Sequence, residues 1–374
     1  MTEHKDVIIV GAGPAGVGMA SLLRRIGVEN MLVIDRYEVG ASFVRWPQET
    51  RFITPSFYSN PFGQIDLNAV NPASSPALSA GVEHLDGAAY AKYLQEVLRD
   101  SGAEALTSTH IVEVSLTQKG RFRLFSSSGQ KWVTPVLIWA TGEYQFPDKN
   151  VFEGAEHCLH YSQVNSWRDF RQDDYVIIGG YESAVDAAIN LLEQGCRVKL
   201  LTRSAPWANN HIADPSISLS PWTRQRLQQV MDNRYFEIYE DADVTSVLKT
   251  SSPDGGYRIH TANGRAWCSH QRPILGTGFL CGGGARQLAP FFDWNAAGFP
   301  LLTSEDASTR FPGLYLVGPQ VRHEQHIYCF IYKFRERFAV VAKAVAQQLN
   351  LPLRDDDLKV LTEDICCQDA SCHC

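Results

Sequence analysis

Gly11, Gly13 and Gly16 stand in "DVIIVGAGPAG" with the spacing G-x-G-x-x-G. Each position in that pattern has its own task. The first glycine turns the chain tightly, the second lets backbone approach a pyrophosphate, and the third lets helix and strand pack closely. The chemistry is dinucleotide binding. Pro14 and Ala15 complete the turn, and Met19, Ala20, Leu22, Leu23 and Ile26 follow at helical spacing, with Gly27 as the C-terminal cap. Such a helix faces the phosphates with unpaired N–H groups and a partial positive charge. Ahead of the glycines, the β-branched run Val7–Val10 reads as a buried parallel strand. Behind the helix, "NMLVID" reads as a second strand ending on Asp35, about 20 residues past the fingerprint, where a carboxylate accepts from ribose hydroxyls. Arg36 follows directly.

A second copy begins at "YVIIGGYESAVDAAINLLEQGCRVKLLTRS". Strand Tyr175–Ile178 enters the turn at Gly179 and Gly180. Tyr181, Glu182 and Ser183 open a helix, Ser183–Gln194, that turns Val185, Ala188, Ile189 and Leu192 inward. Gly195 closes it, and Arg197–Thr202 is the next strand. This strand ends on Arg203 rather than on an acid. A guanidinium binds a 2′-phosphate that a carboxylate would repel, so the pattern favours NADPH over NADH. Tyr181 occupies the place of the second fingerprint glycine, where its side chain would crowd the pyrophosphate. Two such folds imply two dinucleotides, and a hydride passing between them is the economical reading.

The chain has 374 residues, 44% of them apolar and 20% charged, with a formal charge of −7. That length suits two domains. No run of Lys or Arg invites nucleic acid or an anionic membrane, and no apolar run approaches the ~18 residues a bilayer span needs. "MTEHKD" leads straight into strand without a signal peptide, so the expected location is the cytoplasm, where scattered thiols stay reduced. Of nine cysteines, four fall in the closing "CCQDASCHC": Cys366, Cys367, Cys372 and Cys374. Such a cluster can shuttle electrons as a dithiol, bind a soft metal or metalloid together with His373, or deliver a substrate; its spacing is not that of a structural zinc site. Neighbouring Asp364 and Asp369 would raise the thiol pKa values rather than lower them.

With "VLIWATGEYQFP", "PILGTGF" and "GLYLVGPQ" added to the two fingerprints, the chain from Asp6 to about Leu349 resembles the two-dinucleotide-binding flavoproteins, meaning thioredoxin-reductase-like enzymes and the related flavin monooxygenases. The resemblance implies an α/β fold of two Rossmann-like domains, the second inserted in the first. FAD would lie in the domain built from 1–150 and 272–350 and NADPH in 151–271, with 351–374 a cysteine-rich tail. It also implies that Thr141 and Gly142 of the "ATG" segment, Trp46, Gly318 and Pro319 lie at the cofactor. A long helix expected from about His326 would bring His326 and Ile327 to the flavin edge, where its dipole stabilises the reduced ring. A homodimer is the expected assembly.

The departures are informative. Pro319 replaces the family's ribityl-binding aspartate, which leaves the backbone around Gly318 and Gln320 to hold FAD. The NADPH domain lacks the C-x-x-C of a thioredoxin reductase, and Cys158 is the single cysteine between Gly142 and Tyr175. Trp46-Pro47, Phe52, Ser56, His160-Tyr161 and "VIIGGYESAVDAA" parallel the bacillithiol disulfide reductases, which commonly carry cysteine where this chain has Ala15. "RWPQETRFITPSFYSNPF" echoes the monooxygenases. His323 and His326 lack a nearby third ligand and read as polar lining, so no metal site is expected. The expectation is therefore an NADPH-dependent flavoenzyme passing electrons to a small disulfide, thiol or metalloid, with Cys158 and the four tail cysteines as candidate redox groups. The alternatives are a monooxygenase acting on a soft nucleophile and a non-enzymatic redox or metal sensor.

Overall fold

The computed structural model describes residues 2–59, 63–208, 214–250, 255–357 and 359. Strand β1 (Val7–Val10) is buried at all four positions, as expected for a β-branched run with parallel neighbours on both sides. The chain leaves it at Gly11, whose φ of +109° suits glycine alone, and enters helix α1 (Pro14–Arg25). At Gly16 the helix lies on the turn so closely that a Cβ would stand 1.8 Å from the Gly11 carbonyl oxygen. Pro14 opens α1 at a position whose N–H has no partner to lose. Gly27, at φ +92°, donates back to the Arg24 carbonyl, and Val28 donates to that of Leu23, which ends the helix.

Strand β2 (Met31–Ile34), helix α2 (Gly87–Ser101), strand β3 (Glu104–Leu106) and strand β4 (Val136–Trp139) follow. Helix α2 starts where Asp86 accepts from the Ala89 N–H and stops at left-handed Gly102. The pleat of β1 divides the core. Val7 and Ile9 pack against helices, while Ile8 and Val10 pack against a four-stranded sheet of Thr2–His4, Lys131–Thr134, Phe122–Ser126 and Ile111–Leu116.

The same plan is then repeated. Strands β5 (Leu159–His160) and β6 (Asp174–Ile178), helix α3 (Glu182–Glu193), strand β7 (Arg197–Leu201), helix α4 (Pro221–Val230), and strands β8 (Phe236–Tyr239) and β9 (Ile274–Leu275) form a second parallel sheet in the order β8-β7-β6-β9-β5. Ile177 of β6 packs with α3, and Val176 and Ile178 pack toward an antiparallel sheet of Val244–Lys249, Tyr257–Thr261 and Ala266–Ser269.

The chain returns to the first sheet at β10 (Leu314–Leu316), which pairs with β4 and completes the order β10-β4-β1-β2-β3. The long helix does not begin at His326. Arg322–His323 (β11) and His326–Ile327 (β12) form a short hairpin, and helix α5 runs from Ile331 to Gln348. His323 Nε2 is bound to the fully buried Asp306 carboxylate, which Arg337 of α5 also grips. These contacts anchor the hairpin, and helix starts only beyond Phe330. The helix ends ahead of Pro352, as expected. The four tail cysteines lie outside the described residues. Among the described residues, no helix is long and apolar enough to cross a membrane.

Close packing at Gly16 gives the first test. Gly16→Ala should lower unfolding stability by at least about 2 kcal/mol, measured by denaturant titration, because the methyl group meets backbone rather than a movable side chain.

Candidate active site

A cleft of about 450 Å³ opens at the carboxyl ends of β1, β2 and β4. One wall carries the first fingerprint, with Gly11, Gly13, Pro14 and Ala15, and then Asp35, Arg36, Trp46, Thr141 and Gly142. The facing wall carries Glu182, Ser183 and Asp186 from the first turns of α3, with Thr223 of α4. Pro319, Cys329, Phe330, Ile331 and Phe334 close one end.

Several features suit a bound dinucleotide. A Cβ built on Gly13 would meet nothing within 4 Å, so backbone stands bare to the cleft where a pyrophosphate needs it. Thr141 lines the cleft, but its Oγ1 is turned away into packing against Gly284, where a Cβ would stand 1.8 Å from it, and it has no hydrogen-bond partner among the described residues. Asp35 accepts from Ala12 N at 2.7 Å and from Tyr37 N at 2.8 Å, which fixes its carboxylate at the edge of the cleft. Burial pushes its pKa up; the two N–H bonds and nearby Arg45 oppose the shift without cancelling it.

On the facing wall Glu182 is fixed by Ser220 N and by the Thr223 hydroxyl, and burial raises its pKa despite those bonds. Glu143 lies where the "ATG" segment leaves the cleft. Burial raises its pKa although Arg322 and the Gln320 amide lower it. Gln320 also accepts from Gly282 N at 2.7 Å, which ties this loop to the chain after β10.

Other expected site residues lie elsewhere. Gly16 packs beneath the cleft, and Gly318, at φ +105°, would bring a Cβ within 3.1 Å of Ala15 Cβ. Gly179 abuts the Gly276 carbonyl, and Gly180 abuts the Thr202 hydroxyl, so both are packing positions. Tyr181 is 50% exposed at the start of α3 and is not part of the cleft lining. Arg203 is exposed and stands 4.0 Å from the Asp243 carboxylate, a pair too solvated to hold it. His326 and Ile327 belong to the hairpin and do not line the cleft; Phe330 and Ile331 take that place.

Cys158, expected as a redox group, sits apart from the cleft lining. It is 4% exposed in an apolar cluster with Val176, Val247, Ile259 and Leu275, and burial pushes its thiol up to about 12. Its apolar surroundings disfavour the thiolate. Cys329 was missed: among the described cysteines it alone lines the cleft, two residues before α5. Burial raises its pKa, although the Ser216 hydroxyl, 3.1 Å away, and Lys333 pull it down. With the helix boundary set correctly, its place just ahead of a cleft-facing helix would have exposed it. Among the described residues, no group of three or more His, Cys, Asp or Glu side chains is arranged to hold a metal.

Residues 8–318 match the family described as pyridine nucleotide-disulphide oxidoreductase. Bacilliredoxin reductase Bdr from Bacillus subtilis (strain 168) is 27% identical over 232 residues, covering 62% of this chain and 64% of that protein. A ferredoxin–NADP reductase from Thermus thermophilus is 30% identical over 361 residues, covering 94% of this chain and 95% of that one. The match therefore spans just under two thirds of the first relative and nearly all of the second. Among solved structures, the bacillithiol disulfide reductase Bdr (YpdA) from Staphylococcus aureus has a TM-score of 0.74 at 20% identity, covering 93% of this chain and 99% of that one. A flavin-containing monooxygenase from Stenotrophomonas maltophilia has a TM-score of 0.70 at 15% identity, covering 93% and 99%. These two likenesses concern the fold.

The fold and site thus define an α/β oxidoreductase of the two-nucleotide type. The chain belongs to the pyridine nucleotide-disulphide oxidoreductase family, and its cofactors are FAD and NADPH.

The bare backbone at Gly13 separates binding from folding. Gly13→Ala should keep the wild-type unfolding midpoint yet bind FAD about tenfold more weakly or worse, a loss of roughly 1.4 kcal/mol, read by flavin fluorescence titration.

Proposed function

We propose that this protein is an NADPH-dependent flavin reductase of small disulfides. One observation carries the reading: the helix start at Gly13–Ala15 and the helix start at Glu182–Ser183 face the same cleft. The first would hold FAD, in a domain built from 1–150 and 272–350. The second would hold NADPH, in a domain at 151–271 inserted in the first. FAD, when bound, supplies an acceptor for two electrons from NADPH and a donor of two electrons to the substrate.

The chain's own residues bind, orient and exclude water. The N–H groups that open α1 would hold the pyrophosphate, and Asp35 would accept from ribose. Phe330, Ile331 and Phe334 keep the far end apolar and dry. The start of α5 borders the cleft, where its positive end would stabilise negative charge on a reduced flavin. Arg203 supplies the preference for a 2′-phosphate.

A small disulfide suits the relatives named for bacilliredoxin and bacillithiol, and it suits the presence of a thiol, Cys329, on the lining. Cys366, Cys367, Cys372 and Cys374 are proposed as a second relay that takes electrons outward from the cleft. The active form is a homodimer with the disulfide as its small-molecule partner.

The central test is anaerobic. NADPH should bleach the yellow holoprotein, and a small disulfide should restore the colour with thiol released. A preparation that bleaches but reoxidises only with oxygen, yielding an oxygenated product, contradicts disulfide reduction. Truncation after Asp364 should slow turnover while leaving the bleaching step unchanged; equal turnover removes the tail from the path. Arg203→Leu should raise the KM for NADPH about tenfold and leave that for NADH in place.

A further inference from the structure

The cleft is closed on one side by a knot of four polar side chains. Asp186, on the second turn of α3, is 7% exposed. Its Oδ2 accepts from the Thr50 hydroxyl at 3.0 Å and from the Tyr161 hydroxyl at 2.7 Å. Its Oδ1 accepts from Arg226 Nη1 of α4 at 2.7 Å. The Thr50 and Tyr161 hydroxyls are themselves 2.5 Å apart. Thr50, Tyr161 and Asp186 all border the cleft.

The knot joins the two halves of the molecule. Thr50 comes from the chain between β2 and α2 of the first half; Tyr161, Asp186 and Arg226 come from the second. The two residues before Thr50 also cross over. Gln48 N donates to the Asn165 carbonyl at 2.9 Å, and Glu49 accepts from Ser166 Oγ at 2.7 Å and from Trp167 N at 2.9 Å. Three consecutive residues of the flavin half are therefore bonded to the nicotinamide half. Farther out, His84 stacks on Trp222 with ring centres 3.9 Å apart, and Lys333 binds Asp214 at 2.6 Å.

We propose that Asp186 is a positioning residue for flavin reduction. It fixes α3 against the Gln48–Thr50 loop, so that NADPH reduces the flavin in the closed arrangement seen here, without the halves separating. The proposal rests on the reading above that α3 carries NADPH and α1 carries FAD. The step moves one hydride, a proton with two electrons, from nicotinamide C4 to flavin N5, leaving NADP⁺ and reduced flavin. Asp186 neither gives nor takes a proton in it. Its task is distance: reacting atoms must approach to about 3–3.5 Å, and a displacement of about 1 Å can cost about 10²-fold in rate. A buried carboxylate paired with Arg226 suits that task, because removing either partner leaves the other charged and unmatched.

The test is stopped-flow reduction of the holoprotein under anaerobic conditions. Asp186→Ala should slow reduction by NADPH about 100-fold. Reduction of the same bound flavin by dithionite, which does not use α3, should stay within about twofold, and NADP⁺ affinity within about threefold. The slowing should be the same at every pH tested. A purely structural role would lower stability and flavin content without this split. If Asp186→Ala does not fold, Thr50→Ala and Tyr161→Phe each remove part of the knot and should slow NADPH reduction about three- to tenfold. A variant that folds, keeps its flavin and is bleached by NADPH at the wild-type rate overturns the positioning role. So does a loss that appears only on one side of a titration. A wild-type holoprotein that NADPH never bleaches overturns the functional reading, and this proposal with it.

Discussion

Everything here depends on how two parallel sheets are held relative to one another. Each sheet can build a nucleotide site alone, because a strand, a glycine turn and a helix start are local. Electron transfer between the sites is not local. It requires the carboxyl edge of the first sheet and the start of α3 to share one cleft. The bonds that impose this run from Gln48, Glu49 and Thr50 to the segment 161–167 and to Asp186. Burial alone would raise the pKa of Glu49, yet the bonds from Ser166 and Trp167, with Arg168 close by, leave it lower than usual. The same balance holds at Asp214, which Lys333 and Ser216 lower against burial. Both carboxylates therefore lend stability that is complete above the ordinary carboxylate range and lost as pH falls through their lower folded values. Acid therefore loosens the clasp, and neutral pH leaves it intact.

What the sequence revealed was whatever depends on neighbours along the chain. Val7–Val10 and Tyr175–Ile178 declare buried strands by composition, and the glycines behind them declare turns that no other residue makes cheaply. The start of α5 was misread for a physical reason. Ile327, Phe330 and Ile331 keep a helical interval, but the hairpin is decided by His323 meeting Asp306, 17 residues away. The two hairpin residues expected at the flavin edge thereby yield to Phe330 and Ile331. Cys329 went unseen because the wrong boundary placed it inside a helix. The knot at Asp186 was beyond reach altogether, since Thr50 is 136 residues from it and nothing in either neighbourhood announces the other.

The cysteines show why position outranks count. Cys158 and Cys196 are packed in apolar surroundings, where a thiolate is costly, and Cys268 and Cys281 are exposed. Cys329 alone, among the described cysteines, stands where a flavin and a substrate could both reach it. Burial raises its pKa, and the Ser216 hydroxyl, Lys333 and Arg322 oppose the shift without cancelling it.

The central claim is that the flavin and the nicotinamide meet face to face in this one cleft. The direct measurement is an absorbance titration of the anaerobically reduced holoprotein with NADP⁺. The account predicts a new, broad long-wavelength charge-transfer band that saturates with NADP⁺ and is weakened by Asp186→Ala. A spectrum equal to the sum of the separate components, at saturating NADP⁺ binding, would contradict it.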